Sequence, residues 1–285
     1  MVPLLETIDE VRRAVAAARA SGKVVGLVPT MGALHVGHLR LIERCRAEAG
    51  LVCVSIFVNP TQFGPNEDFA RYPRTLDADR RLCTEAGADL IFVPDVATMY
   101  PGGPDSTFVE VPGLTGILEG ASRPGHFRGV ATVVLKLFAI FVPDLAVFGA
   151  KDFQQQLVIR RLVADLNLPV AIRTVETVRA PDGLALSSRN RYLDPDQRRA
   201  ATILSKALRL AAGAVAEGER RGDRVRQILR ETIESESLAR LDYAEVADAE
   251  TLEPLDELMR GRRAVALLAV WIGTARLIDN AILSE

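Results

Sequence analysis

The strongest constraint on the fold of this chain is an alternation of short apolar runs with helical segments between residues 23 and 175. The apolar runs are continuous, as in strands that are covered on both faces of a sheet. They fall at residues 23–29, 51–58, 89–93, 145–148 and 170–175. Helical periodicity precedes and separates them, at residues 7–20, 38–49, 76–86, 130–141 and 153–166. This order predicts an α/β fold with a Rossmann-like open parallel sheet and helices on both faces.

The pattern changes beyond Asp182. Polar helical segments at 195–217 and 223–234 precede strand-like runs at 241–248, 263–273 and 275–278. We therefore predict two domains, a Rossmann-like catalytic domain at residues 1–182 and a smaller C-terminal α+β domain at residues 183–285.

Two of the three histidines, His35 and His38, stand between the first buried strand and the next helix. A helix N-terminus has unpaired backbone N–H groups and a partial positive charge, so it attracts anions. Gly32 and Gly37 allow a ligand to approach the backbone closely. Two imidazoles three residues apart lie on one face of a helical turn, where both can donate to one phosphate group. The sequence thus predicts a nucleotide-phosphate site and disfavours a metal site, because no third ligand is near.

Two further polar stretches suit the same ligand. In FGAKD (148–152), Lys151 can reach a phosphate as a point charge, while Gly149 leaves room for the nucleotide. LSSR (186–189) combines two hydroxyls, backbone N–H groups and a guanidinium fork, which match the oxygens of a triphosphate.

Several stretches together resemble one family. They are PTMGALHVGH (29–38), VSIFVNPTQF (54–63), YPRTL (72–76), LEGASRPGHFRGV (118–130), FGAKDFQQQ (148–156), RAPDGLALSSRNRYL (179–193) and WIGTARLIDN (271–280). H-x-G-H after a first strand resembles the HIGH signature of the nucleotidyltransferase superfamily, which includes class I aminoacyl-tRNA synthetases. The whole set resembles the pantothenate synthetase, or pantoate–β-alanine ligase, family.

This resemblance implies an AMP-forming acid–amino-acid ligase. Pantoate and ATP would give enzyme-bound pantoyl adenylate and pyrophosphate, and β-alanine would then give pantothenate and AMP. It also implies Mg²⁺ as cofactor, a homodimer, and a C-terminal domain that acts as a lid through its 186–189 loop, which is similar to the superfamily's KMSKS loop.

The resemblance also assigns the site residues. It implies catalytic roles for His38, His35, Lys151 and Arg189. It implies ATP contacts from Met31, Gly32, Ala33, Leu34, His35, Val36, Gly37, His38, Gly149, Ala150, Lys151, Asp152, Val178, Leu186, Ser187, Ser188 and Arg189. Gln62 and Gln155 would bind pantoate, and Gln62 would border the β-alanine site. The family usually has glutamate at the position of Ala150, so the contact of that side chain is expected to be missing here.

Two groups of residues stay open at this point. Asp77 and Asp79 fit either a solvent-exposed helix face or Mg²⁺ binding, so the protein ligands of Mg²⁺ are undetermined. Arg123, His126 and Arg128 fit anion binding and a structural loop equally well.

The amino-acid composition limits the kinds of binding partner that the chain is expected to have. The 35 basic and 37 acidic residues give a formal charge of -2, which offers no bulk attraction to nucleic acid or to an anionic membrane. The three cysteines have neither disulfide nor zinc-site spacing, and the first residues lack the features of a signal peptide. We therefore expect a cytoplasmic enzyme whose partners are small molecules.

Three other functions are disfavoured. A nucleotidyltransferase with a dinucleotide-like product would not need a glutamine pair suited to a small hydroxy acid, and a tRNA synthetase would show a basic stripe or an anticodon-binding extension. A nucleotide-binding module without turnover would lack a charge at its site, yet both histidines, Lys151 and Arg189 are present.

Overall fold

The computed structural model describes residues 1–65, 67–103 and 107–284. The chain forms two compact units. The first comprises Met1–Ala150 and Gln154–Glu176, and the second comprises Lys151–Phe153 and Thr177–Glu285. The predicted division into domains at residue 182 stays a prediction.

The first unit is built on a six-stranded sheet whose paired strands are all parallel. The strands are β1 (Leu4–Leu5), β2 (Val25–Thr30), β3 (Leu51–Ile56), β4 (Leu90–Phe92), β5 (Leu145–Gly149) and β6 (Ala171–Val175). Their spatial order is β1-β4-β3-β2-β5-β6. The predicted parallel sheet is confirmed. Strand β1 was not predicted, because two residues at the edge of a sheet leave no periodic pattern.

Helices cover both faces of this sheet, as predicted. They are α1 (Ile8–Ala20), α2 (Val36–Arg46), α3 (Leu76–Glu85), α4 (Val96–Met99), α5 (Glu119–Ser122), α6 (His126–Phe141) and α7 (Phe153–Asp165). Short 3₁₀ turns lie at Pro60–Gln62 and Phe69–Arg71. Successive residues of β3 point to opposite faces: Cys53 packs in the core beneath α1 and α6, whereas Val52 and Val54 pack in the core beneath α2 and α3.

The chain order marks one position on the sheet as special. From β2 the chain proceeds to β3 and β4 on one side, and β5 and β6 lie on the other side. The carboxyl end of β2 is therefore the topological switch point, where open α/β sheets bind their ligands.

Helix α2 lies very close to the strand that precedes it. A Cβ on Gly26 of β2 would lie 2.3 Å from Sγ of Cys45 and 2.7 Å from Cβ of Ala49. Glycine at this position lets α2 pack directly on the strand backbone.

In the part of the second unit that the structure describes, helices pack with a three-stranded antiparallel sheet in the order β7-β8-β9. Its elements are α8 (Pro195–Ala200), α9 (Ile203–Ala216), α10 (Gly222–Glu234), β7 (Ala239–Asp248), β8 (Ala264–Ile272) and β9 (Ala275–Ser284), with a 3₁₀ turn at Ser188–Tyr192. The core consists of apolar residues of the helices and of one sheet face. The predicted smaller α+β unit is confirmed.

The largest differences from the prediction in this unit concern one helix and the last strand. The helix predicted at 195–217 is broken after Ala200, and the hydroxyl of Thr202 donates to the carbonyl of Arg199 at the break. The last strand continues past residue 278 to Ser284. Its polar Asp279 resembles the end of a strand in the sequence, but it is buried and paired with Arg179.

No helix in the described part of the chain combines the length and the apolar character that are needed to span a membrane.

Candidate active site

The loop from Met31 to His35, which we call the β2–α2 loop, follows β2 at the switch point. Gly32 and Ala33 both have positive φ angles, 80° and 50°, in the left-handed region that favours glycine. Ala33 is nevertheless fully buried and Leu34 nearly so. A non-glycine residue keeps this conformation only where its surroundings hold it.

Asp79 of α3 holds the β2–α2 loop. Its carboxylate accepts the backbone N–H of Ala33 at 3.0 Å and that of Leu34 at 2.8 Å, together with the hydroxyl of Thr75. The side chain is buried with only 2% exposure, whereas Asp77 is exposed. The surface interpretation is therefore wrong for Asp79, because the loop supplies the donors that compensate its burial.

The two histidines cap α2 by accepting hydrogen bonds from backbone N–H groups at the start of the helix. His35 is the N-cap residue, and its Nδ1 accepts the N–H of Gly37 at 3.1 Å. Nδ1 of His38 accepts the N–H of His35 at 3.2 Å. The ring centroids lie 4.2 Å apart. The two imidazoles thus form a reciprocal capping box in which both ring positions are set by backbone groups.

This arrangement determines the tautomer of each neutral ring. A ring nitrogen that accepts a hydrogen bond carries no proton, so the proton of both neutral imidazoles is on Nε2. Each ring therefore presents an Nε2–H donor at the N-terminus of α2, where the helix dipole favours an anion.

Gln62 lies at the end of the 3₁₀ turn that follows β3. Oδ1 of Asn59 accepts the hydroxyls of Thr61 and Tyr100, so its Nδ2 donates to Oε1 of Gln62 at 3.1 Å. Nε2 of Gln62 then points to the sulfur of Met31 at 2.9 Å. The amide is thereby oriented with its NH₂ group toward the β2–α2 loop. Asn59 and Gln62 are both buried.

The main chain of Gln62 is held by α6 and the segment before it. Its carbonyl accepts Nδ1–H of His126 at 2.8 Å and Nη2–H of Arg123 at 3.4 Å. Arg123 also forms a two-armed ion pair with Glu67, at 2.8 and 2.5 Å, and donates to Nε2 of His126 at 3.0 Å.

These contacts give Arg123 and His126 a structural function. Burial, together with the Arg123 guanidinium, lowers the pKa of His126 to about 4. Arg128 points elsewhere and lies over the ring of Phe108, 4.7 Å from its centroid.

The three glutamines of the first turns of α7 have different environments. Gln154 is buried, donates to the carbonyls of Leu114 and Ile117 and accepts the N–H of Glu119. Gln156 is buried and contacts the hydroxyl of Thr174. Gln155 is only partly buried. Two of the three amides are thus used by the fold.

The FGAKD stretch begins at the end of β5. A Cβ on Gly149 would meet nothing within 4 Å, and the N–H of Ala150 donates to the carbonyl of Val175. Lys151 and Asp152 belong to the second unit, where Nζ of Lys151 lies 3.6 Å from the carboxylate of Asp152. The carbonyl of Lys151 accepts Nδ2–H of Asn280 at 2.8 Å.

The second unit brings Val178 and Leu186 together. The carbonyl of Val178 accepts the N–H of Leu186 at 2.9 Å, next to a bridge between Arg179 and Ala185. Ser187 then caps the 3₁₀ turn, because its Oγ accepts the N–H of Arg189 at 3.3 Å. Ser188 and Arg189 form the first turn of this short helix.

The parts that Asn59, Asp79 and Glu67 play in this geometry were not recognised in the sequence. Asp79 and Glu67 form hydrogen bonds with residues that are near them only in the fold, whereas Asn59 donates to Gln62, three residues further along the chain. One signal was present for Asn59, since asparagine before proline at a strand end favours a side-chain cap. No local signal marks the other two.

The described residues contain no cluster of three or more histidine, cysteine, aspartate or glutamate side chains that could hold a metal ion. The oxygens of Asp79 already accept donors of the chain itself. These residues do not fit a protein-bound Mg²⁺ site.

Similarity to known proteins agrees with this geometry. A family model described as pantoate-beta-alanine ligase matches residues 3–282. Pantothenate synthetases of Moorella thermoacetica and Roseiflexus sp. are each 56% identical over 280 residues, which is 98% of this chain and 98% and 99% of those proteins.

Solved structures are similar over the whole chain. Pantothenate synthetase from Thermus thermophilus has a TM-score of 0.93 and 46% identity, with 100% of both chains covered. Pantoate-beta-alanine ligase from Francisella tularensis, complexed with beta-gamma ATP and beta-alanine, has a TM-score of 0.80 and 34% identity, with 99% of this chain and 98% of that chain covered.

The parallel sheet with an H-x-G-H loop at its switch point defines a nucleotide-binding protein of the HIGH-motif nucleotidyltransferase superfamily. The family model, the named relatives and the solved structures all indicate that the chain is a ligase. The chain belongs to the pantoate–β-alanine ligase family, as the sequence motifs predicted.

Proposed function

We propose that this ligase condenses pantoate with β-alanine at the expense of ATP, through an enzyme-bound pantoyl adenylate, and releases pyrophosphate and AMP. The observation that carries the proposal is the reciprocal pair of histidines at the N-terminus of α2, at the switch point of the sheet. The relative from Francisella tularensis, complexed with beta-gamma ATP and beta-alanine, supports ATP and β-alanine as substrates.

The first step joins two anions. A carboxylate oxygen of pantoate attacks the α-phosphorus of ATP, the bond from that phosphorus to the bridging oxygen breaks, and pyrophosphate leaves. A carboxylate is already a nucleophile, so the protein supplies charge neutralisation rather than a base. In this proposal His35 and His38 donate their Nε2–H groups to the phosphates, which is supported by the tautomers that the capping box imposes.

The remaining ATP contacts follow from the family motifs. Met31 to His38 would contact ATP along the β2–α2 loop, and Gly149 to Asp152 would do so after β5. In the second unit, Lys151 and Arg189 would add positive charge, with Leu186, Ser187 and Ser188 binding phosphate oxygens. Val178 would contact adenine through its backbone, as the family resemblance implies.

Pantoate would be held by Gln62 and Gln155. An amide donates and accepts hydrogen bonds without adding a charge that would repel ATP or retain the product. The NH₂ group of Gln62 faces the β2–α2 loop, which supports a contact with an oxygen of pantoate.

In the second step, the amine of β-alanine attacks the acyl carbon of the adenylate. The bond from that carbon to the AMP oxygen breaks, AMP leaves, and the amine proton passes to solvent. Gln62 would also border the β-alanine site.

Several wider features belong to the same proposal. Mg²⁺ would enter as the metal complex of ATP, because magnesium binds mainly through substrate phosphates. Residues 1–182 would be the catalytic domain and residues 183–285 the lid. A homodimer is proposed on the family resemblance alone. A cytoplasmic location is supported by the small polar substrates and by three free, buried cysteines.

The experiment that tests the proposal measures the release of pyrophosphate and AMP from MgATP. The assay is repeated without pantoate and then without β-alanine. Pyrophosphate release should require pantoate, and turnover to AMP should require β-alanine. His38→Ala should lower adenylation by roughly two to three orders of magnitude, as does the loss of one preorganised donor elsewhere.

Arg40→Ala is the matched control, because Arg40 is an exposed residue of the same helix that pairs with Glu43 on the helix surface. It should leave both releases unchanged. Normal pyrophosphate release by His38→Ala, or release that does not depend on pantoate, would contradict the proposal.

A further inference from the structure

Gln62, which is proposed to bind pantoate, is held by two sets of hydrogen bonds, which we call its first and second grip. Asn59 fixes its amide, and Arg123 and His126 bind its main-chain carbonyl. The second grip comes from α6 and from the residues just before it, which the proposed function leaves without a role.

The hydrogen bonds of this second grip, from Arg123 and His126 to the Gln62 carbonyl, require one protonation state of His126. Nδ1 of His126 must carry a proton, because it faces the Gln62 carbonyl at 2.8 Å. Nε2 must be an acceptor, because it faces Nη1 of Arg123, which can only donate. The neutral Nδ1–H tautomer therefore satisfies both contacts, whereas the imidazolium would place a proton against the guanidinium.

Arg123 is itself held in place. Glu67 accepts two hydrogen bonds from its guanidinium and neutralises its charge, with the Arg123 side chain 17% exposed and that of Glu67 24% exposed. Glu119, on α5, is the further carboxylate that acts on His126. The ion pair thus aims the guanidinium at both His126 and the Gln62 carbonyl.

Helix α6 comes close enough for this contact because of one glycine. A Cβ on Gly129 would lie 2.3 Å from the carbonyl oxygen of Thr61 and 2.7 Å from the backbone nitrogen of Gln62. The helix backbone therefore touches the turn that carries Gln62, and His126 lies one turn earlier on the same helix.

We infer that Arg123 and His126, with Glu67 behind them, are positioning residues that set the Gln62 amide for pantoate. This inference rests on the proposed function, because it takes Gln62 as a pantoate ligand. Loss of the grip releases the main chain of Gln62 and not the β2–α2 loop. The cost therefore falls on the use of pantoate, while binding of ATP is preserved.

The test compares four variants by steady-state kinetics with pantoate and ATP varied separately. Gln62→Ala is the benchmark. His126→Ala removes the donor to the carbonyl, and His126→Asn restores one, because the Asn amide nitrogen takes the place of Nδ1. Arg128→Ala is the matched control on the same helix, since the exposed side chain of Arg128 lies over Phe108.

His126→Ala should raise KM for pantoate by about tenfold, the effect of one lost hydrogen bond to a positioned group, with KM for ATP changed by less than about twofold. His126→Asn should recover most of this loss, and Arg128→Ala should behave as the unmodified chain. A general loss of folded protein would instead lower the apparent kcat and leave KM for both pantoate and ATP unchanged.

The remaining outcomes are decisive as well. If Gln62→Ala leaves KM for pantoate unchanged, the proposed role of Gln62 is wrong and the inference falls with it. If Gln62→Ala raises that KM and His126→Ala does not, or if His126→Asn fails to rescue, only the positioning inference is overturned.

Discussion

The carboxylate of Asp79 accepts a 2.8 Å hydrogen bond from the backbone N–H of Leu34, and this bond ties α3 to the β2–α2 loop across 45 residues of sequence. A second bond, from the N–H of Ala33, reaches the other oxygen. A carboxylate is suited to this role because both of its oxygens accept, while each loop N–H can only donate.

Asp79→Asn should therefore disturb the proposed phosphate site indirectly, by weakening the hydrogen bonds that hold the β2–α2 loop. The amide offers one acceptor and places an NH₂ group against the other N–H, at a cost typical of a lost charge-assisted hydrogen bond. We expect kcat/KM for ATP to fall by roughly 10- to 100-fold. The exposed Asp77→Asn is the control, and equal kinetics for the two variants would contradict the anchoring role.

The capping histidines need a glycine between them. A Cβ on Gly37 would lie 2.8 Å from Cε1 and 2.9 Å from Nδ1 of His35, so Gly37→Ala must displace that ring. We expect pyrophosphate release to drop by at least about tenfold, since a preorganised donor is moved. Gly213→Ala, in α9 and with open space around it, should keep activity and gain about 0.5 kcal/mol of stability.

Folding stability should fall with acid through His126. Its folded pKa, about 4, lies below the ordinary value of 6.5, so the unfolded chain binds more protons between these values. The free energy of unfolding is unaffected above about pH 6.5 and decreases as pH falls toward 4, by about 1–2 kcal/mol at pH 5.

Urea unfolding at several pH values measures this slope. His126→Asn keeps the donor to the Gln62 carbonyl and cannot titrate, so its stability should depend less on pH between 4 and 6.5. Identical slopes for both proteins would show that another group causes the acid sensitivity.

The pair of Arg179 and Asp279 should matter more than its surface counterparts. Arg179 donates to both oxygens of Asp279, at 2.6 and 2.9 Å, and the Asp279 side chain is only 1% exposed. Arg179→Met leaves a buried carboxylate without its cation and should cost about 2–3 kcal/mol, a value reduced for the partial exposure of the arginine.

The control is Arg199→Ala, since Arg199 and Asp196 form a largely solvated pair within one helix. It should cost less than about 0.5 kcal/mol in the same denaturant titration. Equal costs for the two variants would contradict a special role for the buried pair.

The sequence predicted what depends on local pattern. The parallel sheet and the helices on both faces follow from periodicity. The capping of α2 by His35, which starts this helix at Val36 and not at residue 38, was not predicted. Residues of the H-x-G-H box are near each other in the chain, so the closeness of the two rings was predicted, although His35 is the extended N-cap residue and not part of the helix.

What was not predicted depends on distant contacts. Asp79 lies in an ordinary polar helix pattern, and its burial follows only from the loop that folds over it. The functions of Arg123 and His126 were undecided because Glu67 and Gln62, their partners, are more than fifty residues away in sequence. The length of β9 was underestimated because Asp279 is paired with Arg179, 100 residues earlier.

Gly129 illustrates how contacts between distant parts of the chain would affect activity in a mutational scan. Every side chain at this position would push α6 away from the turn that ends at Gln62, because even a methyl group would overlap the carbonyl of Thr61. An activity screen would therefore score Gly129 as sensitively as the histidines of the site, although glycine offers no group to a substrate. In this fold, a residue can therefore be intolerant to substitution because it packs against the Gln62 turn, and not only because it takes part in the reaction.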